Sequence, residues 1–170
     1  MISLLFVCLG NICRSPMAQT VFEKIIENQG VEDQFRVDSA GLINYHEGEK
    51  ADSRMRSHAR ARGYEITHLS RPVQKKDFEK FDYIVGMDDQ NIRALNHMTS
   101  SGEEQAKIIK MTDFLQKFQA VSVPDPYYEG DAGFVKVIDL LEDACEGLFR
   151  HLQIKDSGIN KPNETFRCYK

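Results

Sequence analysis

Apolar positions along the chain fall into two kinds of segment that follow one another in turn. Segments of the first kind are short and mainly apolar, and the first of them has no polar face, which is typical of a strand buried on both sides. These predicted strands are 2–7, 35–38, 82–87 and 107–111. In segments of the second kind, apolar residues recur at helical spacing. The predicted helices are 15–30, 51–62, 74–80, 88–98 and 131–153.

This alternation of strands and helices predicts an α/β fold with a parallel sheet, right-handed crossovers and helices on both faces. The chain has 170 residues and neither an internal repeat nor a linker, so we expect a single domain. Ligands of such sheets bind outside the carboxyl ends of the strands. Cys8 follows the first predicted strand directly, so its thiol lies at the edge of the sheet where a ligand is expected to bind.

The segment from Cys8 to Arg14 joins the first strand to the first helix. Ser15 and Pro16 are a preferred N-cap and a tolerated first helical residue, so the loop closes at a helix N-terminus. Backbone N–H groups and the helix dipole at such a place bind a tetrahedral oxyanion and stabilise a thiolate, to which Ser15 can also donate a hydrogen bond. Arg14 adds a planar fork of donors that matches two phosphate oxygens. A thiol nucleophile under an oxyanion cradle suits displacement at phosphorus through a covalent thiophosphate.

Composition and charge narrow the class of protein. A net charge of −4, with 41% hydrophobic and 28% charged residues, is ordinary for a globular protein and argues against a nucleic-acid-binding surface. Four arginines recur at helical spacing, which indicates a solvated helix face: Arg54, Arg56, Arg60 and Arg62. No stretch is long enough to span a membrane, and the N-terminal apolar run is too short for a signal peptide. We therefore expect a cytoplasmic protein whose four cysteines are reduced, with catalytic or redox roles.

The string from Val7 to Pro16, Val-Cys-Leu-Gly-Asn-Ile-Cys-Arg-Ser-Pro, resembles the signature loop of the low-molecular-weight protein tyrosine phosphatases. A bare Cys-x5-Arg pattern is weak, but the full string after a strand and before a helix is specific. The resemblance implies a four-stranded, flavodoxin-like sheet in the order 2-1-3-4 and a phosphatase domain over residues 1–155. Residues 156–170 are polar, and we expect them to form a mobile tail.

The resemblance also implies roles for the loop residues. Cys8 is the expected nucleophile, and Arg14 the residue that binds phosphate and stabilises the transition state. The expected phosphate-binding positions are Leu9, Gly10, Asn11, Ile12, Cys13 and Ser15. The implied substrates are phosphotyrosine proteins or small aryl phosphates. We expect no metal, cofactor, membrane or nucleic-acid partner, and a monomeric protein.

A second motif supplies the proton that the leaving oxygen needs. Asp125 lies between two prolines, which limit the conformations of its loop, and two tyrosines follow. The string resembles the Asp-Pro-Tyr-Tyr motif of the same family, whose Asp is first general acid and then general base. Tyr127 and Tyr128, together with Tyr45, are predicted to wall a slot for a flat aryl phosphate. Leu42 stands where Thr is frequent in bacterial relatives, which leaves the finer substrate preference open.

Weaker matches concern the support of the loop. Ser39 and His68 resemble residues that hold the phosphate loop through Asn11, a residue type suited to a left-handed backbone. Asp88 matches an acidic position near the family's site, and capping of the helix that follows explains it equally well.

Two further cysteines have different predicted roles. Cys13 flanks the same small loop as Cys8, so a peroxide-oxidised Cys8 sulfenic acid could condense with it to give a reversible disulfide. The alternative is that Cys13 is a small residue packed under the loop. The resemblance favours the redox role. Cys145 lies on the apolar stripe of the last helix and is predicted to be a core thiol.

Two other functions are compatible with the Cys-x5-Arg loop. A thiol-dependent arsenate reductase would need two more thiols that can relay a disulfide, but the only downstream cysteines are Cys145 and Cys168. A non-catalytic phosphate-binding module would need neither a thiol nucleophile nor a placed acid. Both alternatives rank below the phosphatase.

Overall fold

The computed structural model describes residues 1–156. Its strands are β1 (Ile2–Cys8), β2 (Phe35–Gly41), β3 (Tyr83–Gly86) and β4 (Ile108–Lys110). Its helices are α1 (Arg14–Gln29), α2 (Ser53–Ala61), α3 (Asp77–Lys80), α4 (Asp89–Met98), α5 (Gly102–Ala106) and α6 (Asp131–Asp156), with 3-10 turns at Glu32–Gln34 and Met111–Phe114. The predicted mobile tail, apart from Asp156, lies outside the described residues.

The four strands form one parallel sheet in the order β2-β1-β3-β4, which confirms the predicted topology. β1 lies in the middle and pairs with β2 over its whole length, with Cys8 beside Gly41 at the carboxyl edge. Because strands β1 and β3 also end at this edge, the segments that follow them meet there. The loops that follow these strands therefore lie close together at the carboxyl edge.

Side chains of β1 alternate between two hydrophobic clusters, one on each face of the sheet. Leu4 and Phe6 belong to the cluster that packs against α1 and α6, whereas Leu5 and Val7 belong to the other. The second cluster is closed by α3 and α4 and by the residue after α3; it contains Phe78, Phe81 and Leu95. Because β1 is covered on both faces, its sequence is apolar from Leu4 to Cys8, and Ser3 is its one polar residue. The prediction of helices on both faces is confirmed.

Helix α1 begins two residues earlier than the predicted first helical residue, Pro16. Its first residue is Arg14, and the N-cap position is taken by Cys13, whose side chain makes no capping bond. The predicted cap, Ser15, lies inside the first turn because its hydroxyl is bonded to the Cys8 sulfur instead. The predicted stop at Gly30 is confirmed: Gly30 has a φ of 67° and is bonded back to the last turn.

The sequence did not predict α5 or the two 3-10 turns. Helix α5 has five residues and no apolar stripe, so periodicity gives no signal for it. Its one local signal in the sequence is a Ser three residues before a Glu. In the structure, the Ser101 hydroxyl caps the helix by accepting a bond from the backbone N–H of Glu104.

Helix α6 fixes the segment that leads to the carboxyl edge. Cys145 is fully buried on it, as predicted. The buried carboxylate of Asp143 accepts bonds from three successive backbone N–H groups, those of Gln116, Lys117 and Phe118, at 2.9–3.0 Å. This bonding holds the start of the segment 115–126 against the helix. Across residues 1–156, no helix is both long and apolar enough to cross a membrane.

Candidate active site

The loop after β1 turns tightly at the carboxyl edge of the sheet and enters α1. Asn11 is the one non-glycine residue between 1 and 156 with a positive φ, 56°, the left-handed conformation predicted for it. Carbonyl oxygens of the loop accept bonds from the surrounding segments and so cannot face an anion at its centre. These acceptors are Leu9 from Ile43, Gly10 from Ser70 and Ile12 from Asp52. The arrangement supports a cradle of backbone N–H groups.

Asn11 makes four hydrogen bonds that hold this loop. Its Nδ2 donates to Ser15 Oγ at 2.8 Å and to Ser39 Oγ at 3.0 Å. Its Oδ1 accepts from His68 Nε2 at 2.8 Å and from the backbone N–H of Arg71 at 3.0 Å. All donors and acceptors of the side chain are thereby used. The structure thus makes the contacts expected of Ser39 and His68.

The His68 ring is held in one tautomer by these bonds. Because Asn11 Oδ1 is an acceptor, Nε2 carries the proton, and Nδ1 lies 3.5 Å from Asp38. Burial lowers the pKa of His68, and the charge of Arg71 lowers it further against the opposing effect of Asp38. Arg71 in turn bridges Asp38 and the buried Asp77. A neutral His68 and a charged Arg71 therefore share the support of Asn11.

Cys8 lies at the base of the cradle, almost fully buried. Its sulfur is 3.0 Å from the hydroxyl of Ser15 and 3.5 Å from the backbone nitrogen of the same residue. Since Ser15 Oγ already accepts a bond from Asn11, its own proton is available to the sulfur. Both groups are therefore placed to donate a hydrogen bond to the sulfur, the atom expected to act as the nucleophile.

Arg14 connects three segments at the carboxyl edge. The residue is only 3% exposed, and its Nη1 donates to Asp88 at 2.6 Å and to the carbonyl of Val123 at 3.1 Å. Its Nη2 lies 3.5 Å from Asp125 Oδ2. Burial opposes the guanidinium charge, but the neighbouring Cys8 and the carboxylates more than offset it and raise the pKa of Arg14. The residue therefore stays cationic beside the thiol.

Asp88 performs both of the functions considered for it. Its Oδ1 accepts the backbone N–H of Asn91 at 2.7 Å and so caps α4, while Oδ2 binds Arg14. One carboxylate thus orients the guanidinium from the end of β3.

Asp125 reaches the site from the segment before α6. Its carboxylate is 44% exposed, accepts the backbone N–H of Tyr127 at 3.1 Å, and faces Arg14. The contact with Arg14 brings together the two motifs that stand 111 residues apart in the sequence. The structure therefore unites Cys8, Arg14 and Asp125 at one edge of the sheet.

The three tyrosines of the predicted slot lie in two groups. Tyr127 and Tyr128 form an edge-to-face pair with ring centroids 4.9 Å apart, and Tyr128 is 95% exposed. Tyr45 is 81% exposed and packs edge-on against His46. Within residues 1–156, Tyr45 makes no ring contact with either of the other two. The slot stays a prediction.

Three residues near the site were missed or misread in the sequence. His46 lies against the loop, since a Cβ built on Gly10 would be 3.3 Å from its Cδ2. Asp52 donates its backbone N–H to the carbonyl of Ile12. Arg54 lies on the predicted solvated face, with 44% of its side chain exposed, and its guanidinium also lies over the ring of Tyr127. A lone His or a regular spacing of arginines carries no signal of such contacts.

Cys13 is buried behind the loop. Burial raises the pKa of its thiol, and the negative charge of Asp52 and of Cys8 raises it further. Cys8, Cys13 and Cys145 are all free thiols. Cys168 lies outside the described residues. Within 1–156, no three His, Cys, Asp or Glu side chains are grouped as metal ligands.

Comparison with known proteins gives consistent matches over most of the chain. The model of the family "Low molecular weight phosphotyrosine protein phosphatase" matches residues 3–157. A putative low molecular weight protein-tyrosine-phosphatase of Synechocystis is 44% identical over 149 residues, 88% of this chain and 95% of the relative. The human low molecular weight phosphotyrosine protein phosphatase is 37% identical over 84% of this chain and 90% of its own. A crystal structure of a protein tyrosine phosphatase from Entamoeba histolytica superposes with a TM-score of 0.89 at 48% identity, covering 92% of this chain and 99% of that one.

Proposed function

The chain belongs to the low molecular weight phosphotyrosine protein phosphatase family, and from this premise we propose that it hydrolyses phosphotyrosine and aryl phosphates through a cysteinyl-phosphate intermediate. In this proposal Cys8 is the nucleophile, Arg14 binds the phosphate and the transition state, and Asp125 is the general acid and base. Residues 1–155 act as the phosphatase domain. The observation that carries these roles is the contact of Arg14 with Asp125 above the buried Cys8.

In the first step, the Cys8 thiolate attacks phosphorus in line with the departing aryl oxygen. A P–S bond forms, the P–O bond to the aryl group breaks, and Asp125 gives its proton to the leaving oxygen. Since Nη1 of Arg14 donates to Asp88 and Val123, its Nε and Nη2, together with the loop N–H groups from Leu9 to Ser15, bind the charge on the non-bridging oxygens.

In the second step, water attacks the phosphorus of the thiophosphate. Asp125, now a carboxylate, takes a proton from this water, the P–S bond breaks, and inorganic phosphate leaves with Cys8 restored as a thiolate. The Ser15 hydroxyl, 3.0 Å from the sulfur, is placed to stabilise the thiolate as it departs. Every step uses side chains of this chain.

The substrate class follows from the depth of the nucleophile. Cys8 and Arg14 are both buried, whereas the tyrosines at 45, 127 and 128 lie towards solvent. A phosphate at the end of a long, flat aryl group can reach the sulfur, while that of phosphoserine is held too near the main chain of its protein. We place the enzyme in a reducing, cytoplasmic compartment because its proposed chemistry requires a free Cys8 thiol, and we propose that it acts as a monomer.

Phosphate release from 4-nitrophenyl phosphate and from a phosphotyrosine peptide tests the proposal. The parent protein should turn over both without added metal and in the presence of a chelator. Cys8→Ser should abolish turnover because an alcohol is not ionised at neutral pH, and its circular dichroism spectrum should match that of the parent. Near-normal turnover by a folded Cys8→Ser protein would overturn the covalent mechanism. Sedimentation of the active protein tests the monomer.

We also propose that Cys13 protects Cys8 from irreversible oxidation. Peroxide transfers one oxygen atom to the Cys8 thiolate and gives a sulfenic acid; attack by the Cys13 sulfur then forms a disulfide and releases water. The raised pKa of Cys13 implies that this closure accelerates as pH rises, since the thiolate is the attacking form.

Recovery from peroxide inactivation tests the redox role. Dithiothreitol should restore activity to the parent protein and much less to Cys13→Ala, and peptide mapping should find a Cys8–Cys13 crosslink. Cys145→Ala, which removes another buried thiol, is the matched control. Full recovery of Cys13→Ala, or Cys8 paired with Cys145, would exclude this role.

A further inference from the structure

The segment that carries Asp125 has few bonds of its own. Between residues 125 and 130, the described hydrogen bonds are the local ones from Tyr127 to Asp125, from Glu129 to Pro126 and from Gly133 to Gly130, besides the long contact of Asp125 with Arg14. A general acid must nevertheless be held within hydrogen-bond reach of the leaving oxygen. On the N-terminal side of Asp125, Val123 is held by its backbone bond to Met87 and by Arg14, so it is the residues from Tyr127 onwards whose position needs a further contact.

Arg54, on the first turn of α2, packs directly against the segment. Its guanidinium carbon lies 5.3 Å from the ring centroid of Tyr127 and 4.9 Å from that of Phe134, the residue that begins the apolar stripe of α6. A guanidinium is attracted to the faces of aromatic rings at such distances. Arg54 therefore links α2 to residues on both sides of the turn before α6.

Asp52 holds Arg54 in this orientation. Its two carboxylate oxygens accept from Nε and Nη2 of Arg54 at 3.1 and 2.9 Å, a two-bond fork. The same carboxylate caps α2 by accepting the backbone N–H of Arg54 at 2.8 Å. A planar group fixed by two parallel bonds cannot rotate freely, so the stacking face that Arg54 presents to Tyr127 is fixed as well.

Asp52 is in turn bonded to the phosphate loop. Its backbone N–H donates to the carbonyl of Ile12 at 2.8 Å. A continuous path therefore leads from the loop that holds the phosphate, through Asp52 and Arg54, to Tyr127 and its bond with Asp125. The path joins the nucleophile's loop to the acid's segment without passing through the substrate.

A second contact from α2 secures the far end of the same segment. His58, one turn after Arg54, stacks on Phe134 with ring planes 4° apart and centroids 5.7 Å apart. Its Nε2 lies 3.0 Å from Asp131 Oδ1 at the first turn of α6. Helix α2 thus touches the segment at Tyr127 and again where the segment becomes helix.

We propose that Arg54 is a positioning residue, which fixes Asp125 over the phosphate loop by stacking on Tyr127 while Asp52 holds its guanidinium. This inference rests on the proposed role of Asp125 as general acid. It assigns to α2 a function that its arginine pattern does not suggest. Lys could not replace Arg54 fully, because an ammonium cannot form the fork with Asp52 and stack on Tyr127 at the same time.

The dependence of rate on the leaving group tests this role. We expect Arg54→Ala to lower kcat for phenyl phosphate about 10- to 100-fold, as misplacing a reacting group by ~1 Å can do, and to lower it much less for 4-nitrophenyl phosphate. Arg54→Lys should be intermediate. The alkaline limb of the pH profile, where Asp125 must hold its proton, should flatten in Arg54→Ala.

A double variant tests whether the effect of Arg54→Ala passes through Tyr127, and a control variant tests whether the effect is specific to Arg54. Adding Arg54→Ala to Tyr127→Ala should cause little further loss, because the stacking partner is already gone. Arg60→Ala, which removes an exposed arginine from the same helix and breaks only its pair with Glu65, is the matched control and should leave the leaving-group dependence unchanged.

The outcomes distinguish a failure of the positioning role of Arg54 from a failure of the proposed general-acid role of Asp125. If Asp125→Asn loses activity equally with both substrates, the general-acid role itself is wrong. If Asp125→Asn discriminates between the substrates while Arg54→Ala does not, the positioning role alone is overturned. A raised KM with unchanged kcat for both substrates in Arg54→Ala would make Arg54 a substrate contact and would also overturn it.

Discussion

The two segments that form the site are built in opposite ways. The phosphate loop is buried except at Leu9 and Gly10, and Asn11 holds it with four hydrogen bonds to the residues around it. The segment of Asp125 is largely exposed and contacts the rest of the site through Arg14 and the stacked ring of Tyr127.

This difference matches what each segment must bind. Every substrate of the proposed reaction presents the same tetrahedral phosphate, so a loop with one fixed shape serves them all. The aryl group and the protein attached to it vary from one substrate to another, so the part of the site that meets them must accept different shapes. An exposed segment with few bonds admits them, and a small number of contacts then has to return the acid to its place.

The largest effect on activity should come from replacing Asp125, the proposed acid of the exposed segment. We expect Asp125→Asn to slow turnover of phenyl phosphate by about 10²–10⁴-fold, the usual contribution of general acid–base catalysis. The loss should shrink for 4-nitrophenyl phosphate, whose leaving oxygen needs no proton. Steady-state kinetics with both substrates provides the measurement. Asp113→Asn, a change of the same type elsewhere in the chain, is the control.

Replacing Arg14, the charged residue of the buried phosphate loop, should lower kcat slightly less than Asp125→Asn does. Arg14→Lys keeps a cation but loses the two-bond fork, so kcat should fall roughly 10²–10³-fold, as when a donor to a developing oxyanion is removed. Inhibition by inorganic phosphate should weaken in parallel. Arg150→Lys, on the exposed side of α6, should change neither. Unchanged phosphate inhibition in Arg14→Lys would contradict the binding role.

Removing the uncharged side chain of Asn11 from the phosphate loop should reduce the stability of the folded protein. Asn11→Ala leaves the N–H donors of His68 and Arg71 and the acceptor oxygens of Ser15 and Ser39 without this partner, and it places an alanine at a φ of 56°. The free energy of unfolding should fall by about 2–4 kcal/mol, measured by urea denaturation. Asn11→Gly, which tolerates the backbone conformation, should lose less. Equal losses would mean that backbone conformation has no part in the effect.

The smallest effect is a dependence of stability on pH. Because the pKa of His68 is lowered in the folded state, the unfolded chain binds more protons as pH falls through about 6.5, and stability falls with it. Urea unfolding at pH 7.5 and pH 5.5 should show the loss, and His68→Gln should reduce it. His151, whose pKa burial also lowers, supplies the part that remains. An unchanged pH dependence in His68→Gln would rule out this account.

The sequence predicted those parts of the molecule whose physics is local. β1 is apolar from Leu4 onwards because both of its faces are covered, and the loop from Cys8 to Arg14 is a compact motif between a strand and a helix. Asp125 could be found because its prolines and tyrosines surround it. Each of these signals lies within about a dozen residues.

The parts that escaped prediction depend on contacts between distant segments. Arg54 looked like one of several arginines on a solvated face, since nothing near it in sequence names Tyr127 as its partner. Ser15 looked like a helix cap because the competing bond to the Cys8 sulfur is a product of the folded loop. Tertiary contacts override local preferences most often where a site is built.

The central place of β1 also governs the order in which the protein assembles during synthesis. β1 is synthesised before the strands that flank it, and its pairing with β3 joins residues 79 apart, as between Leu4 and Tyr83. The partners of Arg14 are synthesised later still, because Asp88 and Asp125 follow it by 74 and 111 residues. A nascent chain therefore carries Cys8 long before Asp125 is available to complete the site. The enzyme cannot act on phosphoproteins before it has folded.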